Sequence, residues 1–91
     1  HVLDTRQHRT DQPCGDGVKP GCAAQDAPAA TLTGQAQERW LLEGLSNRTR
    51  WNLLAQQVMM MPLDRRTDPA APEPVWNLDS WSGYRAQRRR L

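Results

Sequence analysis

Few residues of this 91-residue chain are of the types that carry chemistry, and their spacing narrows what they can do. Asp4 and Arg6 follow the apolar pair Val2 and Leu3. An acid and a guanidinium just past a short buried strand stand where α/β proteins place ligand-facing groups. The same two side chains could instead pair with each other or cap a turn, and the sequence leaves both uses open. Cys14 and Cys22 match neither a CxxC redox pair nor a paired zinc knuckle. His1 and His8 complete no metal set at a standard spacing. A local disulfide is the best use of the two thiols. So short a closure contributes about 2–3 kcal/mol on chain-entropy grounds, and it needs an oxidising compartment. Two free thiols are the alternative.

Arg85, Arg88, Arg89 and Arg90 crowd the end of the chain with no acid among them. With Trp81 and Tyr84 as stacking groups they would suit a nucleic acid. One cluster in a chain of net charge +2 is more simply the solvated face of a helix, so no nucleic-acid partner is expected. No GxSxG elbow, phosphate-binding glycine loop or HExxH occurs. No pair of acids is fixed at helical spacing for acid–base work. The residues therefore name no catalytic group and no metal ligand.

The elements that must hold these groups are few. Residues 1–7 read as a short strand ending near Asp4 or Thr5. Residues 10–33 read as a long loop, because Pro13, Pro20, Pro28, Gly15, Gly17 and Gly21 forbid a regular element. Residues 34–46 read as a helix with Thr33 as its N-cap and Asn47 as its stop. Gln37, Leu41 and Leu45 fall on one stripe, with Trp40 beside it. Residues 51–60, WNLLAQQVMM, read as a second strand. Trp51, Leu53 and Ala55 point one way and Leu54, Val58 and Met60 the other, which implies cover on both faces. Gln56 and Gln57 would then be buried amides in need of partners, or mark the strand's exit toward a site. Residues 61–80 form a second long loop with Pro62, Pro69, Pro72 and Pro74. Ser80 or Ser82 caps a final helix that bears Tyr84, Ala86 and the arginines. Asn47, Arg48 and Thr49 form a formal glycosylation sequon.

The apolar supply is thin. Leu and Val total 14 of 91 residues, and Ile and Phe are absent. That is about 15%, under the roughly 20% below which a chain is suspected of disorder, although its net charge is low. No run approaches the roughly 18 apolar residues of a membrane span, and no secretory leader opens the chain. The first Met is Met59, so an interior piece of a longer protein is the expectation and a processed product the alternative.

Four ordered segments resemble the alkaline phosphatase D family, a branch of the calcineurin-like metallophosphoesterases. They are VLDTRQHRTDQPCGDG at 2–17, LTGQAQERWLLEGL at 32–45, WNLLAQQVMM at 51–60 and LDSWSGYRAQRRRL at 78–91. His8 stands where the family usually has Tyr, Ser82 where Asp is common, and Arg85 where Pro usually follows the Tyr. The resemblance implies an α/β fold class: a fragment of a four-layer α/β/β/α sandwich, with two strands, one or two helices and the long loops 10–33 and 61–80. Residues 1–91 would then be a partial metallophosphatase domain. The implied parent is exported, to the periplasm or beyond, and hydrolyses phosphate mono- or diesters at a centre of calcium and iron. The family's metal motifs flank this stretch, so the segment binds no cofactor and is expected to be inactive alone. Its partners would be the rest of its own domain and, for the parent, a phosphate ester. Asp4 and Arg6 become candidates for the active-site rim, and Cys14 with Cys22 for a disulfide. The alternative is a small secreted, disulfide-braced binding module with a basic C-terminal helix. A borrowed core predicts that Trp40, Trp51, Leu53 or Leu54 stays exposed.

Overall fold

Two extended runs meet near the start of the chain, in a computed structural model that describes residues 1–45 and 48–91. Residues 1–3 lie parallel to residues 53–55, but the pairing is a single bridge from Val2 to Ala55. The Leu3 amide donates to the Ala55 carbonyl and the Ala55 amide to the His1 carbonyl, each at 2.9 Å. The His1 nitrogen donates to the Leu53 carbonyl at 2.9 Å. The strands expected at 1–7 and 51–60 are thus corrected to two extended segments sharing one bridge. Two parallel strands alone are marginal in water, and no third flanks them among the described residues. Of the two covered faces expected for 51–60, that of Trp51 and Leu53 is open, at 84% and 81% exposure, while Val58 and Met60 of the other are partly buried against the core.

Side-chain amides replace the missing ladder. Gln37 accepts from the Asp4 amide and donates to the Asp4 carbonyl, both at 2.7 Å. Gln57 accepts from the Thr5 amide and hydroxyl at 3.1 and 2.7 Å. Gln56 accepts from the Trp81 indole at 3.0 Å. The two glutamines do find partners, but Gln57 is exposed and Gln56 half-buried rather than fully enclosed.

The regular strands lie inside the two long loops. Strand β1 (Val18–Lys19) pairs antiparallel with β2 (Trp76–Asn77), with Val18 opposite Asn77 and Lys19 opposite Trp76. A 3-10 turn at Ala23–Asp26 follows β1. The expectation that loop 10–33 holds no regular element is therefore corrected. Its prolines and glycines flank β1 without entering it, so they limit the strand's length instead of preventing it. Cys14 and Cys22 are joined by a disulfide that brackets β1, with Cα atoms 5.7 Å apart.

Helix α1 spans Gln35–Gly44. Its N-cap is Gly34, not Thr33, at φ 78°, where a side chain is strained. A Cβ there would also lie 3.0 Å from the His8 carbonyl oxygen. Thr33 turns inward instead, and its hydroxyl accepts from Gln87 at 2.6 Å. The expected stop at Asn47, and with it the sequon, lies outside the described residues. Ser80 caps a 3-10 turn at Trp81–Gly83 rather than a helix, its hydroxyl accepting from the Ser82 amide at 3.3 Å. Gly83 admits no side chain, since a Cβ would sit 2.2 Å from the Leu78 carbonyl oxygen. Helix α2 (Arg85–Arg90) follows directly, with Tyr84 at its N-cap position.

Leu3, Ala30, Leu32, Leu41, Trp81 and Tyr84 form the core. Val58, Met60 and Leu45 pack against it from the side. The core joins α1 to the SWSGY turn. The radius of gyration, 14.2 Å, exceeds the roughly 12 Å of a compact chain of this length. Leu78 is buried apart from this cluster, whereas Val2, Val18, Trp40, Trp51, Leu53 and Met61 are exposed.

Three of the four arginines of α2 make ion pairs, although Arg89 and Arg90 stay exposed as a solvated face would have them. Arg85 and Arg89 both reach Asp26, at 2.6 and 2.9 Å. Arg90 pairs with Glu38, whose carboxylate also accepts from the fully buried Gln87 at 2.9 Å. The hydrogen bond from Arg90 holds the Glu38 carboxyl below its ordinary value near 4.5, against the pull of burial. A lowered folded value means stability that is full above the ordinary range and is lost as pH falls through the folded one. In a full-length protein carrying this chain, Glu38→Gln should therefore flatten the loss of stability on acidification below about pH 4.5. Denaturant midpoints measured across that range check this, and identical acid slopes for variant and wild type would contradict it.

Candidate functional site

The Asp4 carboxylate closes a turn. Its Oδ1 accepts from the Arg6 and Gln7 amides at 2.8 and 3.0 Å. These backbone bonds hold its carboxyl below the usual aspartate range. The turn sends the Arg6 side chain away from Asp4 and across to Asp79, 73 positions later, at 2.7 Å. Arg9 approaches the other Asp79 oxygen at 2.6 Å, and Gln12 adds a bond at 3.2 Å. One carboxylate thus holds two guanidinium groups and an amide. Burial pulls the Asp79 carboxyl up, but the hydrogen bonds from Arg9 and Arg6 outweigh it and keep it low. Two arginines on one aspartate leave a formal charge of +1.

Asp79 sits where the long loops converge. Strand β2 ends at Asn77, the Leu78 amide donates to the Gly17 carbonyl at 3.0 Å, and the Asp79 amide donates to the Asn77 side chain at 3.1 Å. The buried Tyr84 hydroxyl donates to the Thr10 carbonyl at 2.8 Å, tying down the segment that carries Arg9 and Gln12. Arg6 keeps 48% of its side chain exposed, against 21% for Arg9. The open face of Arg6 lines a cavity of about 240 Å³ with Asp79, Asn77, Arg65, Met59 and Met61. Asp4 lines a different cavity, with His8, Gly34 and Gln37. Arg6 thus faces one cavity, while Asp4 takes the turn-capping use that its place in the sequence also allowed and lines another. Asp79 and Arg9 escaped the sequence reading. Nothing local marks Asp79, because its partners lie about seventy positions away.

The residues here do not suit a metal. Among the described residues no three His, Cys, Asp or Glu side chains gather to hold one. Asp79, Asp26 and Glu38 are already committed to arginines. The two stacking groups that the sequence offers beside the arginines, Trp81 and Tyr84, are fully buried. No helix among the described residues is long and apolar enough to cross a membrane.

The profile of the PhoD-like phosphatases matches residues 1–91. The chain belongs to this family. A curated relative, the alkaline phosphatase D of Bacillus subtilis (strain 168), is 44% identical over 92 residues. That match covers 100% of this chain but 15% of the relative. A solved PhoD structure superposes with a TM-score of 0.85 at 44% identity, covering 98% of this chain and 17% of the other. This PhoD-like chain thus spans about a sixth of the proteins it resembles. Its DTRQ and LDSW runs supply the two halves of the Arg6–Asp79 pair.

Proposed function

We propose that this chain is an interior segment of an exported, metal-dependent phosphoesterase that hydrolyses phosphate mono- or diesters. The observation that carries the reading is 44% identity to an alkaline phosphatase D along the whole segment, with the paired Arg6 and Asp79 lining a cavity. In this reading the parent is a calcineurin-like α/β/β/α sandwich, and residues 1–91 are part of one domain, with loops 10–33 and 61–80 beside its active site. Arg6 stands at the rim and steers an anionic ester, and Asp4 holds the turn that presents it. Calcium and iron would polarise the phosphoryl group and activate water, but they belong to residues outside this segment. Export to the periplasm or beyond fits the Cys14–Cys22 disulfide, which persists in oxidising compartments.

Assays of the full-length protein and of the isolated 91-residue chain, both with calcium and iron, test this. The full-length protein should release nitrophenol from a nitrophenyl phosphate or its diester, and the isolated chain should release none. Turnover by the isolated chain would overturn the segment reading. Silence of the full-length protein on both esters would overturn the phosphoesterase reading.

A further inference from the structure

We propose that Asp79 is the positioning residue that aims Arg6 at an anionic ligand, the phosphoryl group of the ester in the reading above, on which this inference rests. An arginine at a loop end has many rotamers, and only a few present its fork to one point in space. Asp79 removes that freedom by holding Arg6 Nη1 at 2.7 Å. The rest of the Arg6 guanidinium has no partner among the described residues and opens onto the cavity. Asp79 is itself held from three directions. Arg9 and Gln12 grip its second oxygen, Asn77 fixes its backbone amide, and β1 pairs with the strand that ends two residues before it. The disulfide brackets β1, so the covalent staple in loop 10–33 and the guanidinium at the cavity belong to one continuous brace.

The role has a sign that simple charge does not share. Removing a carboxylate beside two arginines raises the local positive charge, which by itself tightens anion binding. Removing an aiming contact loosens it. The Asp79→Asn variant keeps the shape but removes the carboxylate charge and turns one of the two acceptor oxygens, each of which now holds an arginine, into an NH2 donor, so the direction of the effect decides between the two.

The test measures the affinity of the full-length protein for inorganic phosphate by calorimetry, in wild type, Arg6→Ala, Asp79→Asn and the double variant. We expect Asp79→Asn to weaken phosphate binding by about tenfold where Arg6 is present and to change it by less than about twofold in the Arg6→Ala background. Tighter binding by Asp79→Asn, or equal weakening in both backgrounds, would overturn the positioning role. Ester turnover serves as the second readout, with a higher KM and a kcat within about threefold of wild type. The phosphate titration does not need turnover, so an inactive full-length protein would defeat the phosphoesterase reading while leaving the Asp79 result readable. Should Asp79→Asn fail to fold, Asp79→Glu replaces it. That variant keeps the charge and displaces the contact by one methylene, and phosphate affinity equal to wild type would then overturn the proposal.

Discussion

Trp81→Ala should destabilise a full-length protein carrying this chain by about 3–5 kcal/mol, the usual cost of emptying a large buried aromatic site. Trp81 is fully buried in the core it forms with Leu3, Ala30, Leu32, Leu41 and Tyr84. Few other large apolar groups are enclosed, so little nearby can collapse into the space. The loss is compounded at Gln56, whose side-chain oxygen accepts the indole N–H at 3.0 Å. Trp81→Phe separates the two parts. It fills most of the volume but breaks that hydrogen bond, and should cost about 1–2 kcal/mol. Urea unfolding monitored at the domain holding the segment reads both. A Trp81→Ala cost below about 1 kcal/mol would mean that this core does not hold the SWSGY turn in place.

Arg6→Ala should lower kcat/KM for a phosphate ester by about 10–100-fold, the range expected when one charge-assisted hydrogen bond to substrate is lost. The variant is a clean probe of the rim. Asp79 keeps Arg9 and Gln12, so no carboxylate is left unpaired. Arg6 itself contributes little packing, being half exposed. Stability should accordingly change by less than about 0.5 kcal/mol. Unchanged steady-state kinetics would remove Arg6 from the active-site rim. A large loss of stability would recast it as a structural clamp like Arg85 and Arg90.

The same two experiments mark how far the sequence could be read. Leu41 and its stripe were legible, because period 3.6 is a local property of the chain. The exposed Trp40, Trp51, Leu53 and Leu54 were legible too, since an apolar inventory this poor cannot be closed into a core around every large side chain. The run 51–60 misled, because apolar residues on both sides show what a full sheet would bury, not what one bridge covers. The arginines of α2 were legible in part, since Arg89 and Arg90 are exposed while three of the four are paired. Their spacing suits a solvated face, and nothing local announces that Asp26 and Glu38 lie opposite them.

Taken by itself, the sequence determined the family, the position of α1 and the poverty of the core, all carried by local order and composition. Only the tertiary structure decided which side chains act together. Arg6 and Asp79 are 73 positions apart, and Thr33 and Gln87 are 54 apart. Such pairs leave no periodic trace, because the chain between them is loop, and geometry in three dimensions, not spacing along the backbone, sets a hydrogen bond. For that reason Asp4 and Arg6, neighbours in sequence, face different cavities in the fold.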